Sequence, residues 1–173
     1  MRVHRVVALG IVLATGACSA SQRASSTPSN RLIPAAIDAL TGAPWVGPLT
    51  YLDYTSKKST TIDSTLSVRR TAQTPPTWEF GIGYSKEPHA DNTQSVVLSI
   101  DAGLLGDERV VSREAIAGGG VKFVTESQGQ DDHLPAQFRF EHTITTHEYS
   151  RRKMVRFQGQ MEFFERHVYR WLR

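Results

Sequence analysis

"TWEFGIGYS", residues 77–85, alternates without a break. Trp78, Phe80, Ile82 and Tyr84 fall on one side, and Glu79, Gly81 and Gly83 on the other. Successive side chains of an extended chain point to opposite faces. Large apolar and aromatic residues at period two therefore predict a half-buried antiparallel strand.

The same pattern recurs on both sides. In "GPLTYLDYTS", 47–56, Leu49, Tyr51, Asp53 and Thr55 oppose Thr50, Leu52 and Tyr54, and "KKS" then turns the chain. "TIDSTLSVRR", 61–70, puts Ile62, Ser64, Leu66 and Val68 on one face before "TPP" at 74–76 breaks the run. Downstream come "QSVVLSID" at 94–101, "ERVVSREAI" at 108–116, and "GVKFVTES" at 120–127 with Val121, Phe123 and Thr125 together. "QFRFEHTIT", 137–145, sets Phe138, Phe140, His142 and Ile144 against Arg139, Glu141, Thr143 and Thr145. Two further strands are predicted over 148–158 and 160–171, giving about nine in all. The stretches between them, among them "AGLLGD" and "SQGQDDHLPA", read as short turn-rich loops.

No long helix alternates with these strands, which argues against an α/β fold. Short consecutive connections favour an all-β, antiparallel up-and-down β-barrel, which hides its strand edges and has room for a small ligand. Lys122, Glu126, Arg139 and Glu141 fall on the outward faces, so the outward apolar belt of a membrane-spanning barrel is missing. A short N-terminal helix is expected in "LIPAAIDAL", 32–40. Ile33, Ala36, Ile37 and Leu40 share a face there, Pro34 suits the first turn, and the helix stops before Gly42. The barrel domain is thus placed at 32–173.

The N-terminus carries a different signal. "MRVHR" is basic, and 6–17 is uncharged and apolar, which is the composition of a secretory signal peptide. The run is too short to cross a bilayer, which takes about 20 residues. Small residues around Ala17 and Ala20 suit an ordinary signal peptidase. Thr15, Gly16, Ala17 and Cys18 resemble the lipobox of bacterial lipoprotein signals, with threonine where that family usually has leucine. This resemblance implies that residues 1–17 are removed and that Cys18 carries diacylglycerol and an amide-linked acyl chain such as palmitate. The partner of Cys18 is then the membrane. Ser19, in place of a retention-type aspartate, points to the outer membrane, with the protein facing the periplasm. Cys18 is the only cysteine, so no internal disulfide competes for it. Residues 18–31 are small, polar and serine-rich, a flexible tether.

"LTGAPWVGPLTY", 40–51, is similar to the start of lipocalin-like (calycin) domains, where a Gly-x-Trp element precedes or enters the first strand. Gly42 and Trp45 supply its residue types with one more residue between them. The resemblance implies that Trp45 packs across one end of the barrel beneath an arginine of the last strand, Arg166 or Arg170. Those four residues would be structural.

Chemistry is harder to find. Asp131, Asp132 and His133 read first as a polar turn and only second as a metal or general-base group. His142 and His147 flank a turn without a metalloprotease helix. Glu87 before Pro88 reads as a turn cap or a carboxylate at a barrel mouth. No GxSxG elbow is present, and "AGGGVKF" leads into a strand rather than a helix. No catalytic residue, metal or cofactor is assigned. Removing Arg2 and Arg5 lowers the net charge from +3 to +1, so bulk charge does not demand nucleic acid. Trp78, Phe80, Tyr84, Phe123, Phe138 and Phe140 are the expected ligand-binding residues, and Arg69, Arg70, Arg139, Arg151, Arg152 and Arg156 would suit a carboxylate-bearing ligand. Three readings stay open. The first is an envelope lipoprotein binding a small hydrophobic or amphipathic ligand. The second is a filled barrel that presents its surface to another envelope protein. The third is a barrel enzyme acting on a lipid-like substrate.

Overall fold

A computed structural model describes residues 31–173. The expected signal peptide, Cys18 and the expected tether as far as residue 30 lie outside the described residues. Helix α1 (Pro34–Asp38) is followed by β1 (Trp45–Asp53), β2 (Lys58–Gln73), β3 (Pro76–Tyr84), β4 (Asn92–Ser99), β5 (Leu104–Leu105), β6 (Glu108–Ile116), β7 (Gly120–Asp131), β8 (Leu134–Ile144), β9 (Glu148–Phe157) and β10 (Phe164–Leu172). The strands form one closed antiparallel barrel, each paired with its sequence neighbour, and β10 returns to pair with β1. At that seam the chains come very close. A side chain at Gly47 would drive its Cβ to 2.0 Å from the Arg170 carbonyl oxygen, so only glycine fits.

The helix and the barrel match the sequence expectation, with Pro34 in the first turn of α1. Two features differ. "AGLLGD" contributes the two-residue strand β5, bringing the strands to ten. "SQGQDDHLPA" is not a loop but the tip of the β7–β8 hairpin, paired as far as Asp131 and Leu134. Only Asp132 and His133 turn it, with φ of 48° and 63°. Positive φ at both central residues gives the twist that two-residue hairpins favour.

One end of the barrel is closed. Leu32, Ile37 and Leu40 are buried against the barrel core. The Trp45 indole donates to the Leu40 carbonyl at 2.8 Å. The Trp78 indole donates to Asp38 at 2.9 Å, and the other oxygen of that carboxylate accepts from Arg70 at 2.7 Å. The arginine over Trp45 is Arg173, 4.1 Å above the ring, its nitrogens donating to the Ala39, Thr41 and Thr146 carbonyls. Arg166 and Arg170, the arginines expected there, sit elsewhere. Arg170 points out and pairs with Glu148 at 3.4 Å. Arg166 lies near the opposite end, over the Tyr54 ring and beside Asp131. Strand alternation explains the shift: Tyr169 and Trp171 point inward, so Arg170 points outward, while Arg173 lies just past the strand end and folds back under the floor.

The wall is thinnest at β5. This strand bonds β4 only at Leu98 and Ser99, and β6 only at Glu108 and Arg109. The β6–β7 pairing in turn stops at Glu126. Among the described residues, 92–96 of β4 and 127–131 of β7 therefore have no strand partner on their facing sides, and a slot runs down from the open end to Glu108.

Candidate functional site

Inside the barrel, four neighbouring strands contribute a stack of rings. Tyr169 and Trp171 of β10 stack at 4.4 Å, Trp171 on Tyr149 of β9 at 5.3 Å, Tyr149 on His142 of β8 at 6.2 Å, and His142 on Phe123 of β7 at 4.2 Å. Register makes the stack: Trp171 pairs with Tyr149 and Phe123 with His142 across adjacent strands. Directly opposed residues on one face of a sheet are within contact distance. Polar tips are anchored at both flanks. The Trp171 indole donates to Ser64 at 3.0 Å, and the Tyr84 and Tyr169 hydroxyls meet at 2.5 Å.

Facing this stack across the interior are Leu66, Phe80, Ile82, Val96 and Leu105. Between the two walls lies a chamber of about 200 Å³ that reaches the slot at Gln94, Ser95, Gly106 and Asp107.

Away from the slot, one polar cluster interrupts the apolar lining. Arg151 donates to a Glu108 oxygen at 2.8 Å, and the Thr125 hydroxyl donates to the other. His142 Nε2 lies 3.4 Å from the Thr125 oxygen, and its Nδ1 lies 3.0 Å from the Tyr149 hydroxyl. Since Thr125 spends its proton on Glu108, the consistent assignment has Tyr149 donating to Nδ1 and Nε2–H donating to Thr125. His142 is thus neutral. Burial, helped by the charge of Arg151, holds its pKa well below the ordinary histidine value. Burial also pushes the Tyr149 and Tyr169 hydroxyls up, so neither ionises near neutrality. Within the cluster, one carboxylate faces one guanidinium, and the net charge is zero.

The six expected ligand residues divide four ways. Phe80 and Phe123 wall the chamber. Tyr84 stands above it, toward the open end, on Tyr169. Trp78 is fully buried in the floor beneath Arg70, 5.1 Å from its ring centre. Phe138 and Phe140 carry cations instead: Lys153 at 4.1 Å over the first and Arg151 at 4.4 Å over the second. Gly42 takes φ of 108° in the turn before Trp45, a conformation that favours glycine.

Near the open end, Asp131 accepts from Lys153 at 2.8 Å and lies 3.4 Å from Arg166. Burial alone would raise its pKa, but the Lys153 ammonium, the Tyr54 hydroxyl and the Arg166 guanidinium together outweigh that and hold it below the ordinary carboxylate value. Asp132 and His133 are exposed in the hairpin turn, so the three residues do not converge. His142 is inside and His147 is exposed, so these two do not converge either. Glu87 lies beside the short helical turn Pro88–Ala90 and lines a pocket with Asp131 and His167. Burial, aided by Arg151, Lys153 and Arg166, lowers the His167 pKa to about 3.

Sequence reasoning did not single out Glu108 with Arg151. The available signal was a charge at an inward alternating position, Arg151 between Tyr149 and Lys153 and Glu108 two before Val110. Their pairing, across 43 positions, needs the tertiary fold. Set against models of known protein families, the chain matches none, and a search of curated proteins finds no significant match.

Proposed function

We propose that this chain is an envelope lipoprotein whose lipocalin-like barrel binds one small, uncharged, amphipathic molecule. The observation that carries this reading is the chamber of about 200 Å³, whose inner walls are apolar and aromatic around the self-neutralised Glu108–Arg151 pair, with Gln94, Ser95 and Asp107 only at its mouth. An apolar cavity of about 150 Å³ holds one benzene ring, so the volume suits a single ring or short chain with a small substituent. An ionic ligand would meet no excess opposite charge in the cluster and would lose its hydration. A hydroxyl or amide could accept from Arg151 and donate to Glu108 at once. The slot beside β5 is the entry route.

The lipid anchor on Cys18, the outer membrane and the periplasmic orientation rest on the Gly16-Ala17-Cys18 motif, the basic start and Ser19. The chain enters the barrel at its closed floor, where Leu32 is buried. Anchoring there would leave the open end directed away from the bilayer.

The test is native mass spectrometry with organic extraction on the intact protein purified from its own membranes. A reproducible small neutral mass, lost on Phe80→Trp with the fold intact, is the expected result. A clean apo mass, with no binding of small phenols or alcohols in titration, would reject the ligand-binding reading and favour a barrel that serves a protein partner.

A further inference from the structure

A second site is built into the closed end, outside the chamber. Beyond Arg109 the free side of β6 has no strand of the described residues against it, because β5 has ended. A crevice of about 370 Å³ opens there between α1 and the β6–β7 hairpin. Its walls are apolar: Ile33 and Ala36 on the helix side, Ile116 and Val121 on the hairpin side. Among the described residues, the charged side chains that line it are both cations, Arg113 and Arg173, with no carboxylate.

The two arginines differ in how they are committed. Arg173 is spent on main-chain carbonyls and on Trp45. Arg113 makes no ion pair among the described residues, and its Nε is buried without a hydrogen-bond partner. A buried N–H with no acceptor loses its hydration without compensation. The missing group is therefore an acceptor, and a charged one gives the stronger bond. Arginine takes carboxylates through two parallel N–H bonds, while the apolar walls call for a tail.

We propose that this crevice binds a single-chain anionic amphiphile of the fatty-acid type, its carboxylate on Arg113 and its chain between α1 and the β6–β7 hairpin. One chain suits the volume, whereas a diacyl lipid would leave its second chain in water. Charge separates this site from the chamber, whose polar cluster is neutral.

The experiment is calorimetric titration of the full-length protein with decanoate below its micelle concentration. Decanol and decyltrimethylammonium serve as uncharged and cationic probes. One decanoate per chain is expected, with at least tenfold weaker binding for decanol. Arg113→Met should weaken decanoate at least tenfold and leave decanol unchanged, while Arg113→Lys should retain part of the affinity. If Arg113→Met unfolds, Ile33→Glu takes its place, since it sets a repelling carboxylate on an exposed wall. Val96→Trp, which fills the chamber, should leave decanoate binding intact. Absent decanoate binding, equal affinity for decanol, or loss on Val96→Trp would each overturn the proposal. The last of these would move the carboxylate into the chamber, leaving the chamber reading to be judged on its own test.

Discussion

The floor and the chamber use the same kinds of residue to opposite ends. In the floor, both tryptophans have their indole N–H groups on protein acceptors, and Arg173 covers Trp45. In the chamber, Trp171 and Tyr149 have satisfied tips as well, yet the stack they belong to lines an open cavity. The difference lies in what stands opposite. A helix and its turn fill the floor, whereas the chamber faces the thinnest part of the wall, at β5. Aromatic content therefore does not mark a ligand site. The strand opposite the aromatics decides whether they are packed or presented.

Breaking the floor should cost most. Trp45→Ala removes a fully buried indole and should destabilise by about 3–5 kcal/mol in denaturant unfolding. A loss under about 1 kcal/mol would mean that α1 is not held by it.

Acid should act next, and it acts on the open half. His167 is neutral in the fold down to about pH 3, while the unfolded chain protonates it near 6.5. A depressed folded pKa gives stability that is complete above pH 6.5 and drains as pH falls toward 3. His142 adds in the same direction, and Asp131, whose folded pKa is also lowered, adds below about pH 4. The summed loss should be on the order of a few kcal/mol. His167→Gln should flatten the slope between pH 6.5 and 4. An unchanged slope in that variant would show that His167 is hydrated in solution.

Cutting the chamber's ion pair should cost somewhat less. Arg151→Met leaves the Glu108 carboxylate with only Thr125 and should cost about 2–3 kcal/mol, below the 3–5 of a wholly buried pair because both side chains keep some exposure. Adding Glu108→Gln should recover much of it. If the double variant is as unstable as the sum of the singles, the two residues are not coupled.

The smallest effect separates two neighbouring arginines. Arg170→Ala removes an exposed pair, 67% and 40% accessible, and should change stability by less than about 0.5 kcal/mol. Arg173→Ala uncovers Trp45 and should cost about 1–2 kcal/mol through its cation–π contact and backbone hydrogen bonds. Equal thermal shifts for the two would remove the distinction between floor and surface.

The barrel was legible wherever one face of a strand is buried and the other wet. Residues 77–85 show this, because the core selects every second side chain. Legibility failed where that selection is absent. The tip of the β7–β8 hairpin has polar residues on both faces, so its pairing left no period in "SQGQDD". In β5, two residues are too few to show one. The site was readable only in part. Phe80 and Phe123 follow from alternation, but Trp78 shares their face and ends in the floor, because height along the barrel depends on register and tilt. Arg151 was recognised as a cation and not as the partner of Glu108, since nothing local links positions 43 apart. Arg173 was missed because it stands outside the last alternating run.

The seam at Gly47 has a consequence for how the protein is made. The first strand finds its second neighbour only when the last strand arrives, so the ring cannot close on a partial chain. A chain synthesised from its N-terminus keeps the outer edge of β1 unsatisfied until residues 164–172 have been made. Completion would then be a single late event, set by the arrival of residues 164–172 rather than by the earlier hairpins.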